Sequence, residues 1–136
     1  MTSHKLFTGS QVNLYADDVQ RLTEFYERLG FVESYRYAPR GEPWHVEVSG
    51  AGLTLGVASI TAAREEHQLE VSQAAAAMEL VLWCEDADAA YTLALNAGAA
   101  PVRPPHDFQD GRLRVGWVTD PVGNPIELVQ RLPIRG

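Results

Sequence analysis

The sequence predicts an α+β domain assembled from two copies of a βαβββ unit. Two observations carry this prediction. A strand-then-helix stretch from Leu14 to Gly30 returns without a gap from Leu82 to Gly98, and each copy is followed by three short segments separated by turn residues. A third observation bounds it, since 136 residues at 46% hydrophobic composition suffice for one core. The chain, residues 1–136, is therefore expected to be one domain, with a first module over about 8–60, a connector over 61–76 and a second module over about 77–131.

Val12, Leu14 and Ala16 alternate with Gln11, Asn13 and Tyr15, as a half-buried strand requires. Asp17-Asp18 then offers capping oxygens, and Val19, Leu22, Phe25, Tyr26 and Leu29 recur at helical spacing up to Gly30, a C-cap residue. Strands follow over 31–37, 44–48 and 53–57, parted by Pro39-Arg40-Gly41-Glu42-Pro43 and by Gly50-Ala51-Gly52. The connector, rich in Ala, Glu and Gln and free of Gly and Pro, can hold a short helix.

In the second half, Leu80, Leu82 and Cys84 alternate with Glu79, Val81 and Trp83, and Glu85-Asp86 precedes an Ala-rich helix that ends near Gly98. Strands follow over 101–108, 112–119 and 125–130, the last two joined by the turn-forming Asp120-Pro121-Val122-Gly123-Asn124-Pro125. Ile126-Glu127-Leu128 aligns on Leu53-Thr54-Leu55, which places an insertion near Pro104-Pro105-His106-Asp107. A ferredoxin-like sandwich is the alternative arrangement of the same elements.

Composition excludes several function classes. Eleven Lys and Arg against 18 Asp and Glu leave a net charge of −7, which repels phosphate backbones and anionic headgroups, so neither nucleic acid nor membrane is an expected partner. The single cysteine, Cys84, has no partner for an internal disulfide, and residues 1–7 lack the apolar run of a secretory signal, so a cytoplasmic protein is expected. No apolar stretch approaches the roughly 20 residues of a membrane span.

Val12-Asn13-Leu14-Tyr15-Ala16-Asp17-Asp18, Phe25-Tyr26, Leu29-Gly30-Phe31 and Asp120-Pro121-Val122-Gly123-Asn124-Pro125-Ile126-Glu127-Leu128 occur in an order that resembles the vicinal oxygen chelate superfamily of glyoxalases, bleomycin-resistance proteins and extradiol dioxygenases. The resemblance spans about Gln11 to Gln130. It implies sheets curved into a cup, with helices outside and a ligand or metal inside. Gln11, Asn13, Tyr15, Glu79, Val81 and Trp83 should then face the cup.

The family's metal positions correspond to Gln11, Glu79, Thr54 and Glu127. Gln11, Glu79 and Glu127 can bind a hard divalent ion through oxygen, whereas Thr54 departs from the pattern. Taken singly, Gln11 at a strand start is also what a solvated polar residue looks like, and Glu127 sits in a motif shared by members with and without metal. Among the histidines, His4, His45, His67 and His106 fall in a tail, a strand, a connector and a loop, so no cluster is visible. His45 reads as an exposed or cup-edge residue, and His106 as a contact at the cup mouth or a solvated loop residue. Cys84 reads as a buried inert thiol. Tyr15 and Trp83 hold equivalent positions and are expected to wall the cup for a planar ligand.

Three functions follow from the resemblance. One is a binding protein that sequesters a small apolar or aromatic molecule through Asn13, Tyr15, Val81, Trp83 and His106. Another is a metal-dependent lyase or isomerase that uses Gln11, Glu79 and Glu127. The third is an interaction module with a vestigial cup. A homodimer is expected, because a lone pair of modules in this family commonly completes its cups with a second chain.

Overall fold

The computed structural model describes residues 10–72 and 78–133. His4 and residues 73–76 of the connector lie outside the described residues. The elements run β1 (Val12–Ala16), α1 (Val19–Arg28), β2 (Val32–Tyr37), β3 (His45–Gly50), β4 (Leu53–Ser59), α2 (Ile60–His67), β5 (Leu80–Cys84), α3 (Ala87–Ala97), β6 (Ala100–Phe108), β7 (Leu113–Thr119) and β8 (Pro125–Arg131). The expected order is present in both halves.

Equivalent local chemistry starts and stops the two repeated helices. Asp18 accepts from the Arg21 backbone N–H and Asp86 from that of Ala89, each at 3.0 Å, which satisfies one orphan donor of each first turn. Gly30 and Gly98 carry φ of +105° and +119°, backbone that L side chains adopt only with strain. Ser59 caps α2 in the same way through the Ala62 N–H, so the Ala-rich connector begins as a helix.

Each module forms its own four-stranded sheet, in the orders β1-β4-β3-β2 and β5-β8-β7-β6. The first and last strands pair in parallel and the other neighbours antiparallel. On the helix side, Leu55, Val57, Val46 and Val48 pack with Leu22, Phe25 and Tyr26, and this core continues through Ala94, Val118, Ile126 and Leu128 of the second module. Tyr26 ties the halves together by donating to Asp120 Oδ2 at 2.7 Å. The same carboxylate accepts from the Val122 and Asn124 N–H groups and from Asn124 Nδ2.

The ladders correct two sequence expectations. Pro104, Pro105, His106 and Asp107 belong to β6, in line with the strand expected over 101–108, so the insertion there is not a loop; the register shifts between Pro101 and Arg103 and between Arg103 and His106. Such bulges absorb extra residues without leaving the sheet. The equivalence of Glu127 with Thr54 also fails, because Val81 pairs with Glu127 where Asn13 pairs with Gly56. Gly56, not Thr54, occupies the position matching Glu127. Single-residue irregularities spread along the second module defeat alignment by motif alone.

Candidate functional site

The face of each sheet turned away from its helix carries two rows of residues that the ladders set side by side. In the first module, Tyr15, Ala58, His45 and Tyr37 form one row, and Asn13, Gly56, Glu47 and Tyr35 the next. The matching rows of the second module are Trp83, Val129, Val115 and His106, then Val81, Glu127, Trp117 and Arg103. Tyr15 and Trp83 are thus equivalent, as the sequence implied.

The first module's rows contain a polar cluster. His45 Nε2 lies 2.9 Å from Glu47 Oε2, two residues along the same strand face. Gln11 Nε2 donates to that oxygen at 3.3 Å and to Asn13 Oδ1 at 3.0 Å. The hydrogen bond from His45 holds the Glu47 carboxyl below its usual range, with a smaller contribution from Gln11. Gly56 makes the cluster possible: a Cβ there would collide with Asn13 Oδ1 and lie 2.8 Å from His45 Cε1. His45 is therefore a half-buried central residue of this face, not an edge residue. Glu47 did not emerge from the sequence reading, although His45 and Glu47 alternating with buried Val46 and Val48 was the signal.

Beside this cluster lies a recess of about 220 Å³. Tyr15, Tyr37, Trp44 and His45 line it, and α2 closes it with Ala62, Ala63 and His67. Tyr37 and Trp44 meet edge to face, with ring centroids 5.9 Å apart, and the Arg40 guanidinium sits 5.8 Å from the Trp44 ring centroid.

In the second module, Glu79 accepts from Trp117 Nε1 at 3.2 Å. Burial, then the Glu79 charge and a hydrogen bond with it, push the Glu127 carboxyl up. Glu127 therefore holds its proton more firmly than a lone acid does. His106 donates from Nδ1 to the Pro104 carbonyl at 2.9 Å and stacks on Trp117 with centroids 6.2 Å apart. Trp83 is 55% exposed and lies under the Arg131 guanidinium at 4.5 Å; Val81 is 40% exposed beside it. Cys84 is half-buried rather than fully buried, and burial raises its thiol, which suits an inert group.

The candidate residues therefore fall into two groups. Gln11, Asn13 and Tyr15 stand with His45 and Glu47, whereas Glu79, Val81, Trp83, His106 and Glu127 stand on the other sheet. As a divalent-ion site, the donors brought together are the Glu79 and Glu127 carboxyls, while the Gln11 amide is engaged with Glu47 and Asn13. Among the described residues no group of three His, Cys, Asp or Glu side chains that could hold a metal ion is present. A separate apolar cavity of about 220 Å³ lies between the modules, bordered by Phe31, Leu82, Trp83, Leu93 and Ile126. Among the described residues it presents no charged group to orient a ligand.

The fold is shared with solved proteins of low sequence identity. TioX from Micromonospora sp. ML1 is 24% identical with a TM-score of 0.71, covering 92% of this chain and 100% of that one. A glyoxalase/bleomycin resistance protein/dioxygenase family enzyme from Burkholderia phytofirmans PsJN is 21% identical with a TM-score of 0.76, covering 90% and 98%. The bleomycin resistance determinant encoded on transposon Tn5 is 20% identical with a TM-score of 0.64, covering 93% and 100%. No curated protein matches in sequence. The model of the Glyoxalase/Bleomycin resistance protein/Dioxygenase superfamily matches residues 10–128, in agreement with the duplicated sheet order, and the chain belongs to that superfamily.

Proposed function

We propose that this protein binds a small aromatic molecule in the cup without transforming it. The observation that carries this reading is the recess in which Tyr15, Tyr37 and Trp44 present ring surfaces beneath α2. Flat apolar walls with a few polar groups at one end are the usual make-up of a site for a planar ligand. At about 220 Å³ the recess falls short of the roughly 300–1,000 Å³ of typical ligand sites. We propose that a second copy of the chain enlarges it, with Trp83, Val81 and His106 as further walls of the completed cup.

Titration of a panel of small aromatics, followed by quenching of tryptophan fluorescence, tests the proposal. Saturable quenching that weakens in Trp44→Phe and in Tyr15→Ala supports it. A protein that ignores the panel, yet purifies with stoichiometric divalent ion and loses it in Glu79→Gln, would instead be a metal-dependent lyase or isomerase. The specific observation favouring that second reading is the pairing of Glu79 with Glu127, whose raised carboxyl a cation would relieve.

A further inference from the structure

Equivalent rows of the two modules carry different side chains. Where the second module has Val115, Trp117 and Glu127, the first has His45, Glu47 and Gly56. A repeat held together only by packing does not need a histidine and a carboxylate over a missing side chain. His45 is anchored on one side only: Nε2 meets Glu47 Oε2 at 2.9 Å, and Gln11 holds that carboxylate from beyond. An ionised carboxylate can only accept, so it takes the Nε2 proton, and in the neutral form of the imidazole the lone pair then stands on Nδ1. Among the described residues Nδ1 itself makes no hydrogen bond, and no unpartnered polar side-chain atom is buried. It is therefore open, on a side chain that lines the aromatic recess.

We propose that His45, oriented by Glu47, is the hydrogen-bond acceptor of the recess and selects a planar aromatic ligand that carries a hydroxyl donor, a phenol. This rests on the reading of the recess as the ligand site and names the class of ligand. The Tyr15, Tyr37 and Trp44 rings hold the ring of the ligand, and Nδ1 receives its O–H. The Glu47 charge behind the imidazole strengthens the acceptor and disfavours an anionic ligand in the same place. Gly56 lets the imidazole lie close against the sheet, because any Cβ there would push it outward.

Calorimetric titration with 2-naphthol and with naphthalene, which differ by the hydroxyl alone, tests this. The wild-type protein should bind 2-naphthol about 3- to 10-fold more tightly, the range of one neutral hydrogen bond. In His45→Phe the ratio of the two affinities should fall to about one. Glu47→Gln lets an amide donate to Nε2 and makes Nδ1 a donor, so the preference should shrink or invert. The ¹⁵N spectrum of His45 near neutral pH should show the Nε2-protonated tautomer. An unchanged ratio in His45→Phe, or a protonated Nδ1, overturns the inference. Equal binding of both probes by the wild type overturns it while leaving the aromatic-site reading intact, whereas binding of neither overturns both.

Discussion

Asn13 and His45 come so close over Gly56 that even a methyl group there must displace them. Gly56→Ala should therefore disperse the polar cluster, at a cost of about 1–2 kcal/mol, the lower part of the range for overpacking because the Asn13 amide can rotate away. Urea denaturation gives the cost, and the His45 proton signals report whether its bond to Glu47 persists. Glu127 leads to a pH prediction of the opposite kind from that of an ion-paired carboxylate. Burial and Glu79 raise its folded value above the ordinary carboxylate range, so between the unfolded and folded values the native state binds more protons. Stability then falls as pH rises through that window and stays lower above it. Glu127→Gln should abolish this loss, making the variant more stable than wild type at neutral pH. A variant less stable there would mean that the charge is compensated.

At the scale of elements, the link between α1 and the β7–β8 turn is the contact to test. Tyr26 is fully buried and Asp120 is 2% exposed, and burial, followed by the Asp120 charge, raises the Tyr26 hydroxyl well above its usual value. The phenol therefore stays protonated and donates. Tyr26→Phe leaves the carboxylate its three turn donors and should cost about 1–2 kcal/mol, whereas Asp120→Ala strands the buried phenol and three turn donors and should cost about 3 kcal/mol or more. Denaturant titration ranks the two. Equal losses would show that the turn, not the link between modules, sets the cost.

For the molecule as a whole, the homodimer expected from the resemblance to the family is the prediction to test. Val32, Tyr35, Trp83, Leu93 and Phe108 are all about half or more exposed, which leaves apolar surface available to a second copy. Sedimentation at micromolar concentration should give twice the 15.0 kDa chain mass; a single 15.0 kDa species would remove the second copy from the proposed cup. Among the described residues no helix is long and apolar enough to cross a membrane.

What the sequence determined by itself was whatever depends on neighbours along the chain. Alternation such as Val12-Asn13-Leu14-Tyr15 assigns side chains to sheet faces, and Asp18 with Gly30, or Asp86 with Gly98, marks where helices begin and end. From these the duplicated βαβββ order and the cup-facing side of each first strand were legible. Register was not, because a ladder is chosen by contacts between distant residues, and bulges in β6 shift it without leaving a sequence mark. Only the tertiary structure could therefore set Glu127 opposite Val81 and match it to Gly56. Only there do Gln11 and Glu47, 36 residues apart, meet in front of His45. The site is where separate strands bring unlike side chains to the same row, and the choice of row belongs to the folded sheet.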